Sequence, residues 1–325
     1  MSCKLVELVD LCNNKFMSSL APIIVFIYNR PEHTRQTVEA LLANELADKS
    51  DLFIYSDAAK DDLAIDKVRE VREYIKTIKG FKSINIIERE KNIGLAHSII
   101  DGVTTIVNEY GRVIVLEDDL VTSPYFLSYI NDALELYEHN ESVVSIHGYM
   151  YPGREKLPDY FFLRGADCWG WATWQRGWSL FNPDAQYLLN EIKKQNLQEL
   201  FNFSNTYNYT GMLQNQIDGR ISSWAICWYA SAFLADKYTL YPRKSFVQNI
   251  GMDGSGTHCG INNFYKKGKL SATYKPIRLI PVVDSRQGRK KIEKFLKKNA
   301  ERNIVFRVLQ KICKKIKRLL SPKNG

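Results

Sequence analysis

Residues 112–119 read RVIVLEDD: an apolar strand, Arg112 to Leu116, that runs straight into the carboxylates of Glu117, Asp118 and Asp119. A near-continuous Val/Ile/Leu run indicates a strand covered on both faces, the mark of a parallel sheet rather than of an alternating, half-exposed one. The same texture occurs three times upstream, as PIIVFIY at 22–28, DLFIYS at 51–56 and a strand at 83–88. Helical periods separate these runs over 32–46, 61–79 and 93–109, and another follows at 124–138. Repeated βα units of this kind predict an α/β fold, a Rossmann-like and mainly parallel sheet flanked by helices, with ligands gathered at the carboxyl ends of its strands.

Three consecutive carboxylates at such an end repel one another and lose hydration unless a cation or partner compensates. Hard divalent ions take oxygen ligands and accept a diphosphate into their shell. Asp119 is therefore the candidate ligand for Mn²⁺ or Mg²⁺, while Asp118 or Glu117 would hold a ribose hydroxyl or a metal-bound water. A solvated acidic turn capping the next helix is the plainer alternative. The other strand ends supply compatible groups: Asn29 and Arg30 after the first strand, Asp57 after the second, and Arg89, Asn92 and Gly94 after the third. Asp57 could accept a hydrogen bond from a base or ribose, and Asn92 could cap a helix whose N-terminus faces an anion.

The second half has a different texture. A strand is expected within 142–149, an aromatic segment without simple period spans 160–181, and a polar helix is expected over 185–201. An apolar segment at 224–234 and a Gly-rich loop at 249–260 (NIGMDGSGTHCG) follow. This divides the chain into a lead-in at 1–20, a half with a nucleotide-type sheet at 21–150, a half that would build an acceptor pocket on it at 151–284 and a basic tail at 285–325. In CWGWATW, residues 168–174, flat indole faces suit sugar C–H surfaces, and Trp171 is the preferred contact over Trp174. A buried aromatic cluster is the alternative.

The series NRPEHT (29–34), SDAAKDD (56–62), REKNIGLAHSI (89–99), VLEDDLVTSPYFL (115–127) and CWGWATW resembles a bacterial branch of family 2-like GT-A glycosyltransferases over roughly 21–260. It is more distantly similar to the N-acetylglucosaminyltransferases that start complex N-glycans, which also carry an EDD triplet before an apolar helix. The resemblance implies a GT-A fold, a nucleotide-sugar donor, a divalent metal touched by Asp119, and inversion at the anomeric carbon. It also implies a late histidine as a further metal ligand, here His258. Inversion needs a carboxylate to take the acceptor's hydroxyl proton. Asp218, Asp167 and Asp253 are the candidates; related sequences place an acid just before the tryptophan that is Trp224 here, where this chain has Ser222 and Ser223.

Composition bounds the rest. The net charge of +9 conceals a division: residues 285–325 carry +13, leaving −4 for the first 284. The body thus has no electrostatic case for nucleic acid as a partner. Cys3, Cys12, Cys168, Cys227, Cys259 and Cys313 show no metal or disulfide spacing and read as thiols of a reducing compartment. No uncharged apolar stretch approaches the roughly 18 residues of a membrane span. Within the tail, residues 303–320 put Ile304, Val308, Ile312, Ile316 and Leu319 on one helical face among lysines and arginines. That pattern predicts peripheral contact with an anionic membrane, on the cytoplasmic face where lipid-linked glycan acceptors of surface-polysaccharide synthesis lie. Two other functions compete. Nucleotidyl transfer also uses clustered Asp and metal, but the chain has neither a GxxxxGK[ST] loop nor a DxDxT motif. A non-catalytic sugar-binding protein on the same fold would not need the intact triplet.

Overall fold

The computed structural model describes residues 20–153, 155–254 and 268–300. The first half is the expected βα series: β1 (Ile23–Ile27), α1 (Pro31–Leu42), β2 (Asp51–Ser56), α2 (Asp62–Ile75), β3 (Ser83–Glu88), α3 (Leu95–Tyr110) and β4 (Arg112–Glu117). β1 lies at the centre of this half, pairing in parallel with β2 (Ile27 opposite Ser56) and with β4 (Phe26 opposite Glu117), and β3 adds outside β2. All five β1 residues are buried, because α1 and α2 close one face through Leu41, Val71 and Ile75 and α3 closes the other through Ile99, Val103 and Ile106. A strand covered twice has no polar positions to alternate, which is why these runs were legible. α1 begins on Pro31, whose missing N–H would have had no partner in the first turn anyway.

Beyond β4 come β5 (Leu120–Thr122), α4 (Phe126–Leu136), β6 (Val143–His147), β7 (Tyr160–Arg164), β8 (Trp171–Trp174), α5 (Gln175–Trp178), α6 (Ala185–Lys194), α7 (Gln198–Phe201), α8 (Tyr209–Ile217), α9 (Trp224–Leu234), β9 (Tyr238–Pro242) and β10 (Val247–Asn249). The main sheet runs β3-β2-β1-β4-β8-β6-β9-β7. β8 is antiparallel to both β4 and β6, and β7 to β9, whereas β6 and β9 run parallel to each other. The sheet is therefore mainly parallel, with two reversed strands. Both come from the aromatic segment at 160–181, for which the sequence predicts no element. Every β8 residue is buried, so no alternation betrays it.

Two further departures have local causes. The helix expected over 185–201 stops at Lys194, where Asn196 turns left-handed at φ 55°, and restarts at Gln198. The basic tail does not begin where charge alone would start it. Residues 286–300 form a helix, α10, that buries Ile292 and Leu296 against Met150, Leu157 and Phe161, while Arg289 Nε bonds Asp284 at 2.8 Å. Residues 303–320 lie outside the described residues, as does most of the lead-in. Among the described residues no helix is long and apolar enough to cross a membrane, and Cys168 and Cys227 are free thiols.

Candidate active site

The loop from β4 to β5 carries the triplet. β5 pairs antiparallel with β10, Leu120 opposite Asn249, so the Gly-rich loop emerges directly over it. Asp119 accepts a main-chain bond from Ile250 at 2.9 Å, and the carbonyl of Asp118 accepts from Thr37 Oγ1 of α1 at 2.8 Å. Gly251 touches the site so closely that a β-carbon there would overlap Asp119 Oδ2 and lie 2.8 Å from an Arg30 nitrogen. Only glycine permits that approach.

Asp118 and Asp119 are buried, at 4% and 7% exposure, and Arg30 compensates them. Its guanidinium grips Asp118 with Nη2 and, at 3.3 Å, with Nε, and lies 3.0 Å from Asp119 Oδ2. Burial alone would lower the arginine's proton affinity, but Asp118 and Asp119 outweigh it and raise it. The compensation is incomplete: burial, then Asp119 and Asp118, push Glu117 up to about 8, and burial also raises Asp118 despite Arg30 beside it. A cluster of oxygen donors with unspent negative charge suits a hard divalent cation. Asp119, with Asp118 beside it, would hold that ion. Among the described residues no three His, Cys, Asp or Glu side chains form a complete ligand set, and His258 lies outside them, in the segment 255–267.

His33 was given no role by the sequence, yet the fold brings it to this site. Its Nε2 lies 3.2 Å from Asp253 Oδ2, tying the Gly-rich loop to α1, and its charge bears on Asp118. A histidine three residues into a helix carries no signal of its own; only the β5–β10 pairing puts it opposite Asp253.

Asp57 stands on the same carboxyl edge as Asp119, with β1 between them. Its carboxylate accepts from the main chain of Ala58 at 2.9 Å, Ile93 at 3.1 Å and Gly94 at 2.8 Å. It therefore orders the β3–α3 loop and leaves only spare lone pairs for a ligand. Asn92 does not cap α3, contrary to expectation. Its amide donates to the Ala58 carbonyl at 2.7 Å, and the cap position is Gly94 at φ 77°, without a side-chain cap. Arg89 turns onto Asp101 of α3 and the Tyr55 ring, 5.2 Å away. Asn29 follows β1 partly exposed.

Trp171 has no face open to a sugar, and here the structure corrects the sequence. It is wholly buried, stacked on Trp224 at 5.4 Å with Trp178 and Trp228 at 5.7 and 5.8 Å. β8 is central in the sheet, so both of its faces are core. Trp171→Ala is accordingly expected to cost about 3–5 kcal/mol of stability, read by denaturant unfolding. A sugar contact would instead show as weakened donor binding at unchanged stability. Trp169, two residues earlier, is the partly exposed indole.

The candidate bases part company. Asp167 lies just before β8, whose Trp171 pairs with Val115 of β4, and Cys168 beside it feels the charges of Asp167, Glu117 and Asp119 together. Asp253 belongs to the loop over the triplet but is exposed and held by His33. Asp218 ends α8, taken up by Gln214 at 2.9 Å and by Arg220, in a helix packed on α6 and α9 rather than on the sheet edge. The position before Trp224 is a helix cap filled by serine: Ser223 Oγ accepts from Ile226 at 3.4 Å.

The fold thus sets an acidic triplet at the carboxyl end of a central strand, counterbalanced by an arginine and approached by a glycine-bearing loop. The profile of the GNT-I family matches residues 5–179, more than half of the chain, and the chain belongs to that family. Solved structures give remote likenesses. A mannosyltransferase, PcManGT from Pyrobaculum calidifontis, solved with GDP-Man and Mn²⁺, is 15% identical over 45% of this chain and 42% of its own, with a TM-score of 0.29. S. aureus TarS is 10% identical over 70% and 59%, with a TM-score of 0.38. A Desulfovibrio desulfuricans protein assigned as a nucleotide-diphospho-sugar transferase is 14% identical over 62% and 96%, at 0.32. The chain spans less than two thirds of the first two. A search of curated proteins gives no match.

Proposed function

We propose that this glycosyltransferase moves a sugar from a nucleoside diphosphate, with UDP as the preferred carrier, onto a glycan acceptor in bacterial surface-polysaccharide synthesis, with inversion. The observation that carries the reading is the acidic triplet, with Asp118 and Asp119 buried and incompletely compensated by Arg30. A bound Mn²⁺ or Mg²⁺ would supply the remaining positive charge for the donor diphosphate and its departure. The chain's own groups do the rest. Arg30 offers a guanidinium to the phosphate oxygens, the Gly251 main chain keeps bulk out of the donor's path, and Asp57 fixes the β3–α3 loop beside it. Asp167 takes the proton of the attacking acceptor hydroxyl, whose oxygen bonds to the anomeric carbon from the face opposite the leaving diphosphate. The reading is tested by thermal unfolding with UDP, with Mn²⁺ or with EDTA. At about 100 times its Kd the nucleotide should add about 2.7 kcal/mol of stability with the metal and little without it. Equal stabilisation in EDTA would remove the metal from the account.

The stretch 303–320 is proposed to hold the enzyme at the cytoplasmic leaflet. Each basic residue near an anionic surface contributes about 1 kcal/mol, screened over about 8 Å at physiological salt. Because Ile292 and Leu296 belong to the core, the informative truncation follows Ala300, not Asp284. Full-length protein should co-sediment with anionic liposomes and release as salt rises, while the truncated form stays in solution. Equal binding by both forms, or binding indifferent to lipid charge, would refute the anchor.

A further inference from the structure

Two buried side chains that the proposed chemistry leaves unused converge on Asp167. His147 ends β6, wholly buried, with Nε2 3.4 Å from Asp167 Oδ2, near enough to reach it, although among the described residues neither ring nitrogen completes a hydrogen bond. Tyr241, on the neighbouring strand β9 and 5% exposed, donates its hydroxyl to the same oxygen at 3.3 Å. The two rings pack edge to face, centroids 4.9 Å apart. Oδ1 accepts from the main chain of Cys168 at 2.8 Å, so both carboxylate oxygens are held while the side chain keeps 22% exposure. Asp218 is held by Arg220, whose side chain is exposed, and Asp253 by His33, its own side chain being more exposed than that of Asp167.

We propose that His147 and Tyr241 are positioning residues that lock the Asp167 carboxylate in one orientation toward the acceptor hydroxyl. The inference rests on the reading of Asp167 as the base. Burial lowers the proton affinity of His147 and Asp167 only partly restores it, so the imidazole stands neutral at neutral pH. A neutral ring donates from one nitrogen, and a proton on Nε2 is the one that faces Asp167. Misplacing a reacting group by about 1 Å costs on the order of a hundredfold in rate, which is the scale such a clamp protects.

The test uses the whole chain, Mn²⁺ and a panel of UDP-, GDP- and dTDP-sugars. His147→Phe and Tyr241→Phe should each lower kcat about ten- to a hundredfold with donor KM within about twofold. His147→Gln, which restores a donor near the Nε2 position, should recover most of the loss. Asp167→Asn should lower kcat by about 10²- to 10⁴-fold. An inactive Asp167→Asn beside fully active His147→Phe and Tyr241→Phe would overturn the clamp and spare the base; an active Asp167→Asn would overturn the base itself. One readout does not depend on turnover or on any variant folding. ¹⁵N NMR of the wild-type imidazole should show the proton on Nε2, and a proton on Nδ1 would overturn the inference outright.

Discussion

Asp119→Ala is expected to cut transfer at least about a thousandfold, the several kcal/mol that a bound cation supplies to a departing diphosphate, and to remove metal-dependent nucleotide binding. Stability should hardly change. Arg30 keeps Asp118 through Nε and Nη2 when Asp119 is gone. Glu117, pushed up to about 8 by burial and then by Asp119 and Asp118, loses the stronger of those two charges, so the substitution relieves repulsion as it removes an ion pair. The melting temperature should stay within about 2 °C of wild type, as for substitutions that open no cavity and strand no charge. A large fall in stability with activity intact would mean that the triplet is structural.

Arg30→Met should do the opposite to stability. It strips the counter-charge from two buried carboxylates, and removing one member of a buried pair costs about 3–5 kcal/mol. The loss should be largest in metal-free buffer and partly reversed by Mn²⁺, because the freed Asp118 and Asp119 then take the cation that Arg30 had stood in for. In Asp119→Ala the same Mn²⁺ should have little effect. Denaturant unfolding of both variants, with and without Mn²⁺, reads all four states. Equal loss in Arg30→Met with and without the ion would show that those carboxylates do not bind it.

The contrast between these residues also shows what the sequence could disclose. β1 and β4 were legible because burial on both faces writes them as unbroken apolar runs, and the triplet because three like charges at a strand end demand an explanation. β8 hid in an aromatic stretch for the same physical reason carried further: in a central strand of a mixed sheet every position is core, so Trp171 and Trp174 look like ligand-binding aromatics and are packing. The roles of Asp57 and Asn92 are main-chain hydrogen bonds across 34 to 37 residues, invisible to any local pattern. His33 and His147 were missed because a histidine inside an element acquires its partner only from topology, the first through the β5–β10 pairing and the second through β6 beside β9. The Asp167 environment was out of reach likewise, since its supports come from strands some 20 and 74 residues away.

Donor turnover tests the central claim most directly. Wild-type protein is incubated with UDP-, GDP- and dTDP-sugars in Mn²⁺ or in EDTA, and release of free nucleoside diphosphate is measured alongside Asp119→Ala. Release from at least one sugar nucleotide, foremost a UDP-sugar, that requires Mn²⁺ and vanishes in the variant is the predicted result. Release at full rate in EDTA or in Asp119→Ala, or no release from any donor even with a glycan acceptor supplied, would contradict it.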